Sequence, residues 1–399
     1  MRAIPSILYV QYGDFAEAYE RFERGGEETF RDQKLSVLHT IKLAEKARVT
    51  VLSISGSSER TLLGPNLTAI KSAGHKIPKT LAINLLKEFQ VTHLILCSPI
   101  RSFLVAARVT GAALLPLFAD HFGKGGLRQR LRHRRLSHVL RSSPARCYCN
   151  HNLNASRSMR DELGLPSDMI IPWDHVPVPT SEAPKSNVAG TPVRICYAGT
   201  LSEAKGVGDL LDAIALLKDH EVRLNLFGGG DVQRWRQAAS ERGLSGRVTF
   251  LGSRPNREVR AAMAAHDLVV VPSRHNYAEG LPNVLLEGLS SGTPVVVSDH
   301  PAYADRLSDG GCEIFRAAQP ADLARAIDRL MTDPSRYAAI SKAGIRKAQE
   351  LEFGIERLTL IDRFLDDPEN TTDWVKSCSL GAYETKQATT TTRGRGNHG

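Results

Sequence analysis

The chain is poor in the features that most quickly betray a function. Its six cysteines, at 97, 147, 149, 196, 312 and 378, are scattered and form no Cys-x-x-Cys pair. That excludes a disulfide scaffold, and reduced thiols are expected, with Cys97, Cys147 and Cys196 in apolar strand-like runs. No long hydrophobic run is present either. The longest, residues 103–119, is broken by Arg108, Thr110, Gly111 and Pro116, too short and too interrupted to span a bilayer. Residues 1–10 hold one arginine and a short strand-like run, so no secretory signal is expected and a cytoplasmic location is. Asp-x-Asp, a common metal-binding pattern, does not occur; Asp366-Asp367 is the nearest approach. The three glycines of Gly-x-Gly-x-x-Gly are not found together, because in LFGGGD (residues 226–231) Gln233 takes the third position. Nicotinamide-dependent hydride transfer thereby loses its usual fingerprint.

Acidic residues are missing from one segment altogether. Residues 121–160 carry ten lysines and arginines and no Asp or Glu, so the other 359 residues of this +9 chain sum to −1. Within that segment, GLRQRLRHRRLSHVLR (residues 126–141) reads as a helix. Nucleic acid is disfavoured as its partner, because no aromatic side chain lies between Phe122 and Tyr148 to stack on bases. Three readings stay open: an anionic membrane surface met through residues 124–146, an acidic acceptor, or a solvated basic face. The apolar stripe is poor, with Leu127 and Leu131 on one face and Leu136, Val139 and Leu140 mostly on others. Charge rather than amphipathicity would carry any membrane attachment.

With 399 residues and 42% apolar composition, two domains with separate cores are expected. Short apolar strands alternate with helical patterns from end to end, and no internal repeat stands out. In the first half the strands fall at 7–10, 49–53, 93–97, 114–118 and 146–149, with a helix at 80–89 whose Leu81, Leu85 and Phe89 recur every four residues. In the second half they fall at 193–198, 222–227, 248–251, 268–271 and 295–298. The helix after the first of these presents Leu210, Leu211, Ile214 and Leu217, with Asp209 and Asp212 in its first turn. Further helices are read at 322–331, 335–350 and 353–365. This is α/β patterning with parallel sheets covered on both faces. Pro177, Pro179, Pro184 and Pro192, with Pro172 just before, mark an interdomain linker. The domains expected are 1–187 and 188–352, followed by a helix over 353–366 and a disordered tail over 367–399.

The strongest motif is VPSRHNYAEGLPNVLLEGLSSGTPVVV (residues 271–297). A strand ends, a loop follows, and Pro282 opens a helix that Gly292 closes. Free N–H groups from Asn283 onward, with the helix dipole, suit a phosphate. Glu279 stands just before the helix and Glu287 two turns into it on the same side. Carboxylates there can accept hydrogen bonds from the hydroxyls of something held beside the phosphate. In YAGTLSEAKGVG (residues 197–208), a strand delivers a glycine-bearing loop whose Lys205 can reach an anion at the strand ends. In LFGGGD, Gly228 and its neighbours permit close backbone approach. The plainer alternatives are a solvent-facing Lys-Gly pair and a chance pair of glutamates; the surrounding strand, loop, helix and strand make the combination specific.

Together these residues resemble the retaining GT-B glycosyltransferases, specifically glycosyltransferase family 4 (group 1), well over about 190–350 and loosely before that. The resemblance implies two Rossmann-like domains facing a cleft, with a nucleotide-activated sugar bound by the second. By it, Glu279 contacts sugar hydroxyls, Glu287 the ribose hydroxyls and Lys205 the diphosphate. Gly199, Thr200, Gly228, Arg254, Gly280, Leu281 and Asn283 complete the donor site, with FLGSR (residues 250–254) along the base. Gly25-Gly26-Glu27 looks like the family's glycine-rich loop before the first helix. Where the family usually has an arginine, this chain has Thr200, which supplies no charge; Arg254 or Arg274 would have to substitute. Asp120 and His121, after the strand at 114–118, are placed to orient an acceptor, with an idle loop pair as the alternative.

The function implied is that of a hexosyltransferase in polysaccharide biosynthesis. It would pass a sugar from a nucleotide-diphosphate donor to a saccharide or lipid-linked acceptor, with no cofactor, no metal and no protein nucleophile. Lys205 and the helix terminus would stabilise the leaving diphosphate. The alternatives are a nucleotide-sugar epimerase of GT-B architecture, a sugar phosphorylase (for which no pyridoxal lysine is found) and a degenerate nucleotide-binding scaffold.

Overall fold

The computed structural model describes residues 4–54, 58–72, 74, 76–277, 280–351 and 355–386. They divide into two compact units. Of the described residues, those within 4–27, 32–176 and 355–386 form one, and those within 28–31 and 177–351 the other.

In the first unit, β1 (Ser6–Tyr12), β2 (Arg48–Ile54), β3 (Glu59–Gly64), β4 (Leu67–Ser72), β5 (His93–Leu96), β6 (Ala113–Phe118), β7 (Tyr148–His151) and β8 (Ile170–Asp174) form one sheet. All its pairings are parallel except the β3–β4 hairpin. Its central strands β1, β2, β5, β6, β7 and β8 are buried on both faces, whereas the edge strand β3 is exposed. Leu8, Leu94 and Leu114 point into one apolar layer, and Ile7, Ile95 and Leu115 into the other. That is why these segments read as continuous hydrophobic runs rather than alternating ones. The helix expected at 80–89 spans Lys79–Glu88, but its buried face is Ala82 and Leu86, while Leu81 is exposed.

The second unit contains β9 (Val193–Ala198), β10 (Val222–Phe227), β11 (Val248–Gly252), β12 (Leu268–Val271), β13 (Val295–Ser298) and β14 (Glu313–Phe315), all parallel. Their spatial order is β11-β10-β9-β12-β13-β14. Counted within the unit this is 3-2-1-4-5-6, the dinucleotide-fold order, in which chain direction across the sheet reverses between β9 and β12. Such a reversal leaves a crevice at the carboxyl ends of those two strands. After β14 and two helices the chain adds β15 (Ile355–Glu356) to the edge of β8 in the first sheet, and the helix Arg357–Asp366 follows.

Three expectations need correction. The proline-rich segment 177–192 is no free linker, since it is pinned to the second unit. The Ser181 amide donates to the Ser290 carbonyl, that of Lys185 to the Ser341 hydroxyl, and that of Ala189 to the Asp267 carboxylate. The unit boundary therefore falls after Val176, not after 187. The second correction concerns residues 367–386, which are ordered. The Asp367 carboxylate accepts from the amides and hydroxyls of both Thr371 and Thr372, and these bonds hold its pKa down at about 2. Val375 and Leu380 are buried in the first unit's cores. Residues 387–399 lie outside the described residues. The third concerns Gly25-Gly26-Glu27, which follows the first helix, Phe15–Glu23, and precedes the second, Gln33–Ala44.

Candidate donor site at the strand ends of the second unit

Three strand-end loops of the second unit are laced together by their backbones. The Gly199 amide donates to the Phe227 carbonyl, the Gly228 amide to the Gly252 carbonyl, and the Leu201 amide to the Gly229 carbonyl. Glycine is required at two points. Gly228 has φ +142°, and a Cβ there would lie 1.9 Å from the Gly199 carbonyl oxygen. Gly206 has φ +74°, and its Cβ would meet the Pro272 carbonyl at 2.0 Å. Neither obstacle is a side chain that can swing aside. Gly228→Ala should therefore lower stability by about 3 kcal/mol, read as a shift of the urea midpoint at constant m-value.

Around these loops lies a cavity of 430 Å³. Of the residues singled out in the sequence, Gly199, Thr200, Lys205, Gly228, Arg254, Asn283 and Glu287 line it together. Lys205 is delivered by the loop after β9, and its Nζ stands 4.3 Å from the centre of the Tyr277 ring, which also faces the cavity. A cation held over an aromatic face keeps its charge while the ring limits its wandering. The helix Asn283–Ser290 has Pro282 as its N-cap, not its first helical residue. Its first intrahelical bonds come from the Leu285 and Leu286 amides, so the amides of Asn283 and Val284 end the helix on the cavity side. The Asn283 Oδ1 is buried without a hydrogen-bond partner among the described residues, a polar atom left for a ligand.

Glu287 is 5% exposed, and its Oε1 accepts from the Asn256 side-chain Nδ2 at 2.8 Å. Burial raises its pKa, while Asn256, Arg260 and Arg31 pull the other way. The result is a carboxylate fixed in a dry wall, suited to accept from hydroxyl groups.

Some expected residues fall elsewhere. Leu281 is buried in the core with Leu285 and Leu289, and neither it nor Gly280 lines the cavity. Glu279 lies outside the described residues. Of the two stand-ins for the guanidinium missing at Thr200, Arg254 lines the cavity, whereas Arg274 is committed to structure. Arg274 makes a bidentate pair with the buried Asp209, both bonds 2.7 Å, and reaches Glu203 at 2.6 Å. Of the FLGSR stretch, Ser253 and Arg254 reach the cavity and Phe250 does not.

Sequence reasoning missed Arg31. Residues 28–31 pack with the second unit, anchored by the Asn256 amide donating to the Glu28 carbonyl, and they bring Thr29, Phe30 and Arg31 to the cavity. Arg31 is 5% exposed there and its charge acts on Glu287. It places a buried guanidinium in the same cavity as the neutral Thr200.

In the first unit, Asp120 and His121 follow β6. Burial pushes the Asp120 carboxyl up to about 6 and lowers the His121 pKa, which favours the neutral imidazole. The His121 Nδ1 is buried with no partner among the described residues. The basic segment also resolves into parts. Arg146 pairs with Glu369, and Arg157 and Arg160 with Glu384, acids of the ordered C-terminal stretch. Lys124, Arg128, Arg130, Arg132, Arg134 and Arg135 are exposed on or just before the helix Leu127–Arg141 and form no salt bridge among the described residues. Leu136 and Leu140 are buried, whereas Leu127 and Leu131 face solvent beside those arginines. No helix among the described residues is long and apolar enough to cross a membrane.

Sheet order, crevice and the second, separately cored unit define the GT-B class of fold. The chain matches the solved structure of Anabaena HepE in complex with UDP and glucose with a TM-score of 0.64 and 16% identity, over 92% of this chain and all of that one. Residues 180–347 match the family model of the group 1 glycosyl transferases. It is similar to the 2-deoxystreptamine glucosyltransferase of Streptomyces kanamyceticus, 32% identical over 170 residues, 42% of this chain and 43% of that protein. It is also similar to a D-inositol 3-phosphate glycosyltransferase of Stackebrandtia nassauensis, 32% identical over 202 residues, 47% of this chain and 40% of that one. The chain thus spans about two fifths of the length of the curated relatives it matches.

Proposed function

We propose that the chain is a retaining glycosyltransferase of family 4 type that moves a sugar from a nucleotide-diphosphate donor to a saccharide or lipid-linked acceptor without a metal. The observation that carries this reading is the convergence of Lys205, Arg31, the amide end of Asn283–Ser290 and the buried Glu287 on one cavity at the reversal of the sheet. Cations and helix amides suit a diphosphate; a buried carboxylate suits ribose hydroxyls. Glu279, from its place in the motif, is assigned to the sugar hydroxyls.

In the step proposed, the bond from the anomeric carbon to the β-phosphate oxygen breaks as the acceptor oxygen bonds to that carbon from the same face. The acceptor's proton passes to the departing phosphate oxygen. Negative charge grows on the diphosphate, where Lys205, Arg31 and the helix amides are already aimed. No protein nucleophile is required. Acceptor recognition is assigned to the first unit, with Asp120 and His121 bonding its hydroxyls. If ionised Asp120 accepts from the acceptor, kcat/KM should rise with pH through about 6, and Asp120→Asn should lose that limb while donor affinity stays unchanged.

The experiment is a thermal-shift panel of nucleotide sugars, with UDP-glucose first because the HepE structure holds UDP and glucose. A donor at 100 times its dissociation constant should add about 2.7 kcal/mol. Silence across the panel would favour a non-catalytic scaffold. An inverted anomer in the product would overturn the retaining step.

We further assign the six exposed cations near Leu127–Arg141, with Leu127 and Leu131, to an anionic membrane surface; each contributes on the order of 1 kcal/mol near such a surface. Pelleting with vesicles containing phosphatidylserine should occur at low salt, and should be lost when Arg128, Arg130, Arg132 and Arg134 are changed to glutamine. Equal pelleting of both proteins would reject the assignment.

A further inference from the structure

A second cavity in the second unit, 390 Å³, shares Glu287 with the donor cavity and no other lining residue. The helix Asn256–Ala265 gives it Arg257 and Arg260, one turn apart on the same face, and the small Ala261 and Ala264 leave the space open. The last turn of Asn283–Ser290 and residues 178–181 supply the remaining walls. Three serines stand there. Ser181 donates its hydroxyl to the Ala183 carbonyl and Ser291 donates to that of Gly288. Ser290, 1% exposed, has no partner for its hydroxyl among the described residues. Buried hydroxyls are ordinarily satisfied, so an idle one lining a polar cavity beside two guanidinium groups marks a place for a ligand.

We propose that this cavity is a binding site for a small phosphomonoester with a neutral, hydroxylated body, of sugar monophosphate size. A phosphate presents three acceptor oxygens, which match two arginine forks and one hydroxyl donor. The volume exceeds that of a phosphate alone and falls in the range of small-molecule sites. The Glu287 carboxylate at the shared wall repels a second negative group and accepts from a hydroxyl, which selects a sugar body over another phosphate. Because Arg260 also faces Glu287, a phosphate that engages Arg260 competes for its charge, and the two cavities become coupled, each ligand weakening the other by the same factor. That coupling rests on Glu287 holding the donor; the phosphomonoester site does not.

The test is calorimetric titration of glucose 6-phosphate, with glucose as the neutral control, into the full chain, Lys205→Ala, Ser290→Ala and the Arg257→Gln/Arg260→Gln double variant. Lys205→Ala disables only the donor cavity, so it should bind the monophosphate as the full chain does. The double variant should lose at least tenfold in affinity, Ser290→Ala should lose several-fold, and glucose should not bind. If the double variant fails to fold, Arg257→Lys/Arg260→Lys replaces it and should show a smaller loss. Unchanged affinity in the arginine variants, or loss of all monophosphate binding in Lys205→Ala, overturns the proposal. The second result would assign the phosphate to the donor cavity and leave the donor reading standing; failure of the donor panel with the monophosphate result intact would do the reverse.

Discussion

Lys205→Ala is expected to lower kcat/KM by about 10²–10³-fold, the loss typical of removing one preorganised donor from a site of developing charge. The effect should extend beyond donor affinity to kcat. A lysine that binds ground-state diphosphate and leaving diphosphate alike would change only KM, whereas the charge on the bridging oxygen grows as the sugar departs. The local structure argues for preorganisation. Gly206 lets the loop pass against the Pro272 carbonyl, the Lys205 amide bonds the Ser202 hydroxyl at 3.3 Å, and Tyr277 lies beneath the ammonium. Lys205→Arg should recover only part of the loss, since a planar fork does not reproduce a point charge over the ring. Steady-state kinetics with the donor identified by thermal shift checks both variants, and wild-type kcat in Lys205→Ala would remove the lysine from the mechanism.

Arg31→Ala is the second large effect, expected to cost about 10²-fold in kcat/KM. The reason is Thr200. A diphosphate needs more than one cation nearby, the strand-end loop after β9 offers a hydroxyl where a guanidinium would be useful, and Arg274 is held by Asp209 and Glu203. Arg31, buried in the same cavity, is proposed to supply that charge from a different part of the chain. Thr200 is exposed, so an arginine can be accommodated there. Thr200→Arg in the Arg31→Ala background should therefore restore activity by about tenfold or more, about 1.4 kcal/mol or more of transition-state stabilisation. A purely structural role for Arg31 would give no such rescue, and circular dichroism of the single variant separates the two.

The contrast between Lys205 and Arg31 shows how far the sequence could be read. Lys205 was legible because its strand, glycine and helix lie within twelve residues, and β9, β10, β12 and β13 are short apolar runs bounded by loops. Arg31 carries no such signal. Its position depends on a four-residue excursion that packs against Asn256, more than two hundred residues away in the chain, a pairing that periodicity cannot express. The hairpin of β3 and β4 escaped because ERTLLG is an exposed edge strand with little apolar content. β8 carries Pro172 within it, a residue that weakens the strand pattern. The C-terminal stretch to 386 looked unstructured because its order rests on one aspartate gathering four donors and on two buried apolar side chains. Thr200 marks from the loop alone a site short of one cation; the cavity adds Arg31 to the residues that line it.

If one cavity in the second unit holds the nucleotide-diphosphate donor through Lys205, Arg31 and Glu287, calorimetric titration of the donor into the full chain and into Lys205→Ala, Arg31→Ala and Glu287→Gln reads this out. The prediction is one donor per chain in the wild type, and at least tenfold weaker binding in each variant without loss of folded structure. Wild-type donor affinity in all three variants would contradict it.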